Sequence, residues 1–295
     1  MKRTGSHLLP VALQEAHMAE SKWTEEKIAR LEREGRGKGS GAEYLPWIFV
    51  SDFSSQGKSR RKFSSKSGRH HHLLSDREPN LFLLLEFSND VVDIREQFPL
   101  ERDETRSIAA RLNIKHPVYP GTRVTEVMTT DFLVKFNRDG NESLEAFSSK
   151  TADDLENPRT LEKLEIERSY YEDLGIPYRL VLDTSLPTNK VKNIYWFRGA
   201  VLDDHGLAEY PEEFVELGRR MLHEFSRAPA KGTLAQFCAN FDARVGVQVG
   251  TGLLIARALL WQGELQTDLN QPDLAGTPAV MFSAPRKPQL RVVGG

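Results

Sequence analysis

The chain has 295 residues, 40 Lys and Arg against 42 Asp and Glu, and one cysteine, Cys238. That length accommodates two ordinary domains, the 39% hydrophobic content supports real cores, and no run is long enough to span a bilayer. A single cysteine excludes an intramolecular disulfide and a cysteine-based zinc site, so the expected compartment is a reducing cytoplasm, with no membrane involved.

Residues 1–22 read as a dispensable leader; Pro10 and His17 interrupt its apolar stretch, and no signal peptide is expected. "TEEKIARLEREG" reads as a helix capped by Thr24, with Ile28 and Leu31 on one face and Gly35 ending it. "EYLPWIFVSDF" is a short aromatic, extended segment suited to packing. From Lys58 to Arg69, "KSRRKFSSKSGR" holds six Lys or Arg and no acid. Such an arm fits either a phosphate-backbone contact or a solvated loop. The contact reading assigns DNA binding to Lys58, Arg60, Arg61, Lys62, Lys66 and Arg69.

"SDREPNLFLLLEF" then predicts a helix capped by Ser75 or Asp76, with Glu78 in its first turn, Pro79 tolerated there, and Leu81, Leu84 and Leu85 on a buried face. "NDVVDIREQF" predicts a strand and "DETRSIAARLNI" a short helix. "PRTLEKLEIERSYYEDLG" predicts a longer helix with Leu161, Leu164 and Tyr171 at helical spacing, and "IPYRLVLDT" a last strand. This order defines an α/β domain over 23–186 with a mixed sheet. The polar "PTNKVKN" marks the expected boundary. Three helices, "PEEFVELGRRMLHEFS", "TLAQFCANF" and "VGTGLLIARALLWQG", followed by "ELQTDL" as a wing strand, predict an all-α-type winged-helix domain over 187–270, and 271–295 reads as an extended, proline-bearing tail. The Leu-rich third helix is expected to be core rather than a recognition helix, and Cys238 a small buried residue.

The chain is organised around Met128 to Lys150. "TTDFLVKF" and "SLEAFSSK" flank "NRDGNE", whose Asp-Gly pair signals an antiparallel hairpin. A turn at Asp139 and Gly140 brings Asp131 opposite Ser148 and Ser149, with Lys150 at the rim. The hairpin alone is compatible with a cross-strand surface ion pair. With Glu78 converging on it, two carboxylates could share Mg²⁺ and the lysine could stabilise charge on an attacked phosphodiester. His70, His71 and His72 are weaker candidates for a metal or phosphate. Lys163 and Glu167 form an i,i+4 pair.

The blocks "EGRGKGSGAEYLPWIFV", "SGRHHHLLSDREPNLFLLLEF", "VVDIREQFPL", "IKHPV", "MTTDFLV" and "RTLEKLEIERSYYEDLGIPY" resemble TnsA, the endonuclease subunit of heteromeric cut-and-paste transposases, from about Trp23 to Tyr178. The resemblance implies a restriction-endonuclease-like PD-(D/E)xK core followed by a winged-helix domain. It implies Glu78, Asp131 and Lys150 as catalytic residues, with Glu78, Asp131 and the Ser149 backbone carbonyl as ligands of Mg²⁺, for which Mn²⁺ substitutes. The implied reaction is hydrolysis of the 5′, non-transferred strand at transposon ends. The implied partners are double-stranded DNA, a DDE transposase subunit, and an AAA+ ATPase regulator docking on the C-terminal domain and tail. Where the family carries Gln or Glu two residues before the lysine, this chain has Ser148, a doubtful ligand, so a catalytically weakened DNA-binding and docking subunit is the alternative. Family acids also fall on Glu86 and Glu167, read here as structural, Glu86 at a helix end and Glu167 on an acidic helix face.

Overall fold

The structure, a computed structural model, describes residues 23–52, 60–203, 206–207, 212–227 and 231–285. Its centre is the predicted hairpin. Strands β4 (Thr129–Arg138) and β5 (Asn141–Lys150) pair antiparallel from Arg138↔Asn141 to Phe132↔Phe147. Asp139 (φ 53°) and Gly140 (φ 85°) both adopt the left-handed conformation that a two-residue hairpin turn requires.

Nine further α-helices and strands are described in this half of the molecule. The helix α1 (Glu25–Arg33) is capped by the Thr24 side chain, as predicted. The ribbon of β1 (Arg60–Ser64) and β2 (Arg69–Leu73) leads into α2 (Glu78–Phe87), and β3 (Val91–Pro99) is followed by α3 (Arg102–Arg111). After the hairpin come α4 (Ala152–Glu156), α5 (Pro158–Asp173) and β6 (Tyr178–Leu182). The sheet order is β3-β4-β5-β6, antiparallel except for the parallel β5–β6 pair. The chain is therefore mixed α/β with a four-stranded mixed sheet.

Strand alternation sends side chains to two different cores. Phe132, Val134 and Phe136 pack with Leu81, Phe82 and Leu85 of α2 on one face. Leu133 and Ala146 meet Ile166, Tyr170 and Tyr171 of α5 on the other. Leu161, expected on the buried stripe of α5, is instead 47% exposed. The helix α2 also differs from expectation at its start. It begins at Glu78 with Arg77 in the cap position, and Ser75 still accepts the Glu78 amide (3.4 Å) while giving its hydroxyl to the Glu78 carboxylate (2.9 Å).

The expected boundary segment is itself a helix, α6 (Thr188–Arg198), because Val191, Ile194 and Phe197 recur at helical spacing within its polar sequence and are buried. A two-residue ribbon, β7 (Leu202–Asp203) and β8 (Gly206–Leu207), precedes the three predicted helices α7 (Glu212–Arg227), α8 (Leu234–Val245) and α9 (Thr251–Trp261). In α9, Ile255, Ala256, Ala258, Leu259 and Leu260 are buried, as a core helix requires, and Cys238 is buried beside them. "ELQTDL" is not a strand; Gln266 makes a single bridge to Ser283. The predicted tail is packed as far as it is described, since Leu274, Ala279 and Phe282 enter the helical core. Leu83 of α2 belongs to that same core, so this helix is shared by both halves of the chain. Among the described residues, no helix is long and apolar enough to cross a membrane.

Candidate active site

At the open end of the hairpin, backbone pairing between β4 and β5 stops at Phe132↔Phe147, while β5 stays paired with β6 as far as Lys150↔Leu182. The Asp131 carboxylate fills the gap: Oδ2 accepts the Ser149 amide at 2.7 Å and lies 3.4 Å from the Lys150 ammonium. Lys150 Nζ also donates to the Ser149 carbonyl at 3.0 Å. Burial works against the lysine's charge, but Asp131 and Glu167 outweigh it and raise its pKa. The ammonium therefore remains charged beside two acids.

Glu78 reaches the same place from the first turn of α2. Its two carboxylate oxygens accept the Leu74 amide (2.8 Å) and the Ser75 hydroxyl (2.9 Å), and the residue is buried. Burial first, and the negative charge of Asp131 second, push its pKa up to about 8 against the opposing hydrogen bonds and Lys150. The structure thus brings Glu78, Asp131, Ser149 and Lys150 together.

Ser148 faces elsewhere. Its hydroxyl donates to Glu167 Oε1 at 2.6 Å, and the same carboxylate accepts from Thr130 Oγ1 (2.7 Å) and Tyr178 Oη (3.2 Å). Glu167 does not lie on a solvated acidic face, and Lys163 pairs with Glu126 rather than with it. Burial is the main reason its pKa rises to about 7. The sequence carried a signal for this: Glu167 lies between Leu164 and Tyr171, one turn from each, on the buried stripe of α5. Glu86 is buried at the end of α2 and paired with Arg198 (3.0 Å), a structural placement in keeping with its reading from sequence.

The basic segment divides in two. Arg60 and Arg61 are exposed and Lys62 half-buried on β1, and with His70 they line one concave surface of the ribbon. Lys66 and Arg69, grouped with them on sequence, turn inward instead. Lys66 Nζ donates to the carbonyls of Ser88 and Val91 at 2.8 Å each, and burial lowers its pKa. Arg69 makes a two-pronged bond to buried Glu96 (2.6 and 2.8 Å) and donates to the Ile94 carbonyl. His71 completes this network between Glu96 and Ser67, each at 2.7 Å, which leaves it no ligand position. His72 Nδ1 accepts the Val50 amide. Lys58 lies outside the described residues.

The donors that could hold a cation are all oxygen: the carboxylates of Glu78 and Asp131 and the Ser149 carbonyl. One or two carboxylates, with substrate phosphate and water completing the shell, is the set Mg²⁺ takes. The fit has an electrostatic basis, because Asp131 acts on both buried Glu78 and buried Glu167, and the Lys150 ammonium lies close enough to act on each. Among the described residues, no group of three or more His, Cys, Asp or Glu forms a denser metal cluster.

A mixed α/β fold with paired carboxylates and an ammonium at the end of its sheet is consistent with a nuclease, and comparison with known proteins gives the class. The family model for the TnsA-like endonuclease N terminal matches residues 88–183, and that for the TnsA endonuclease C terminal matches residues 186–269. Asp131 and Lys150 fall inside the first match, and Glu78 precedes it. The transposon Tn7 transposition protein TnsA of Escherichia coli is 37% identical over 257 residues, covering 85% of this chain and 89% of that protein. The chain belongs to the TnsA endonuclease family.

Two outcomes are expected from this arrangement. Arg69→Ala should cost about 1.5–3 kcal/mol of stability in urea unfolding, because it takes two charge-assisted hydrogen bonds from buried Glu96 and leaves it the His71 ring and the His72 amide. Arg61→Ala, on the exposed strand, should stay within about 0.5 kcal/mol. The second concerns pH. The folded pKa values of Glu78 and Glu167 stand at about 8 and about 7, above the ordinary 4.5. Between these limits the folded chain binds more protons than the unfolded chain, so their contribution is fully present below 4.5 and is lost as pH rises through the folded values. In chelator, the melting temperature should fall from about pH 6 to about pH 8.5, and Glu78→Gln should flatten that fall. A melting temperature that rises over this interval contradicts the assignment.

Proposed function

We propose that the chain is the Mg²⁺-dependent endonuclease subunit of a cut-and-paste transposase, hydrolysing the 5′, non-transferred strand at each transposon end. The observation that carries this reading is the meeting of Glu78, Asp131, Lys150 and the Ser149 carbonyl at the frayed end of the hairpin. Family membership supports it, and the similar Tn7 protein is a transposition protein by name. The mixed sheet supports a restriction-endonuclease-like core, and the helices α7, α8 and α9 support a winged-helix-type C-terminal unit.

Glu78, Asp131 and the Ser149 carbonyl would hold the cation, with Mn²⁺ able to replace Mg²⁺. Ser148, committed to Glu167, would not be a direct ligand. The bound ion supplies Lewis acidity to the scissile phosphodiester and lowers the pKa of attacking water. Lys150, held charged by its acidic neighbours, stabilises negative charge as it builds on the attacked phosphate. Glu78 must give up its proton to bind the cation, so affinity rises with pH toward 8. Arg60, Arg61 and Lys62 supply sequence-independent contacts to the DNA backbone. A DDE transposase subunit would cut the other strand, and an AAA+ regulator would dock on the helical unit.

The direction of Ser148 favours one second reading, a catalytically weakened subunit that binds DNA and docks the regulator. An end-labelled transposon end, incubated with Mg²⁺ and the partner proteins, separates the two. On the first reading the natural chain nicks the 5′ strand, Asp131→Ala abolishes nicking and Lys150→Ala slows it by about 10²–10³-fold. Nicking that appears only after Ser148→Gln would establish the second, and cutting that survives both Asp131→Ala and Lys150→Ala would reject the site.

A further inference from the structure

The helix α2 has a polar hold at each end from the C-terminal half of the chain. Tyr195 Oη donates to the Pro79 carbonyl (3.4 Å), next to Glu78. Arg198 Nε donates to Glu86 Oε2 (3.0 Å) on the same helix. Glu78 and Glu86 are eight residues apart in α2, about two turns or about 12 Å along one rigid rod. The rod is wedged between cores: Leu81, Phe82 and Leu85 face the sheet, and Leu83, with Leu84 and Phe87, faces the helical unit.

Arg198 serves three elements at once. Besides Glu86, its Nη2 donates to the Phe63 carbonyl in β1, the strand that carries Arg60, Arg61 and Lys62, and its guanidinium lies 5.8 Å from the ring centre of Trp261 in α9. The arginine side chain is 9% exposed and that of Glu86 0%. Among the described residues Glu86 Oε1 has no hydrogen-bond partner, so the carboxylate relies on its bond from Arg198. A planar fork of donors that can also stack is what these positions demand, and a lysine cannot replace it in all three.

We propose that Arg198 is a positioning residue for the cleavage site. Through Glu86 it sets where α2 presents Glu78, and through the Phe63 carbonyl it sets where β1 presents its cations. The placement of the helical unit, to which α6 and Trp261 belong, is thereby transmitted to the acid and to the DNA-contacting strand together. A displacement of that unit relative to the sheet moves both in one step. This inference rests on Glu78 belonging to the nuclease site proposed above.

The test uses the full chain with Arg198→Lys, Arg198→Ala, Glu86→Gln and Glu78→Gln. Three readouts are taken: the melting temperature, Mn²⁺ binding by electron paramagnetic resonance with a duplex end carrying an uncleavable scissile linkage, and the Mg²⁺ dependence of nicking with the partner proteins. Arg198→Lys keeps a charge opposite Glu86 but loses the fork, so the chain should stay folded. Its Mn²⁺ affinity should weaken about tenfold, and the Mg²⁺ concentration for half-maximal nicking should rise about tenfold. Saturating Mg²⁺ should recover most of the rate, and Glu86→Gln should shift the same midpoint in the same direction. If both variants melt lower yet bind Mn²⁺ and nick as the natural chain does per folded molecule, Arg198 is only a structural tie and the proposal is overturned. Should Arg198→Ala fail to fold, Arg198→Lys and Glu86→Gln carry the decision. Unchanged Mn²⁺ affinity and nicking in Glu78→Gln would sink the site assignment itself, a failure separable from the Arg198 result.

Discussion

The register of the β4–β5 hairpin is the constraint on which the rest of the molecule depends. The turn at Asp139 and Gly140 accepts only residues at ease in the left-handed region, and this fixes which residues face each other. A slip of one position would exchange the two faces of the strand. Phe132, Val134 and Phe136 would leave α2, and Leu133 would leave α5, so both cores resist it. The same register places Asp131 where its carboxylate takes the Ser149 amide in place of a strand partner. The strand side of the site, Asp131 with Ser149 and Lys150, is thus positioned by apolar packing and a distant turn.

Electrostatics at the frayed end follow from that packing. Glu78 arrives from a helix above one face of the sheet and Glu167 from a helix on the other, with Asp131 and Lys150 between them. Burial first, and the nearby charge of Asp131 after it, raises the cost of ionising Glu78 and Glu167. The cost is met by keeping protons on Glu78 and Glu167 or by admitting a positive charge. A divalent cation neutralises the cluster better than a second ammonium, because it also takes oxygen ligands from several directions. The raised pKa values and the suitability for a hard cation are therefore two expressions of one imbalance.

Legibility of the fold and the candidate site followed how local each determinant is. The hairpin turn, the Thr24 cap and the approach of Asp131 to Lys150 are written in short stretches, and the structure bears them out. Determinants that depend on distant partners were hidden. Arg69 and Lys66 look like their neighbours Arg60 and Arg61, and only the arrival of Glu96 on β3 and of the carbonyls at Ser88 and Val91 turns them inward. "PTNKVKN" reads as a linker because half of α6 is polar, yet Asn193 spends its amide on the carbonyls of Leu269 and Gln271. The prolines after 271 suggest an extended tail, but Leu274 and Phe282 find the helical core. Glu167 sits on the buried stripe that its spacing from Leu164 and Tyr171 marks, despite its charge.

Ser148 belongs to the hydrogen-bond network of an acid that rises from a helix. A serine two residues before the lysine is too short to bring its own charge to the site, and its hydroxyl is drawn to Glu167 at 2.6 Å. Glu167 is long, rises from α5, and is fixed by three hydroxyls from Thr130, Ser148 and Tyr178. The acid at this corner of the sheet is therefore delivered by a helix. Three hydroxyl donors can satisfy that carboxylate whether or not it is ionised, since each hydroxyl can rotate to accept as well as donate. The corner can then change charge without rebuilding its hydrogen bonds.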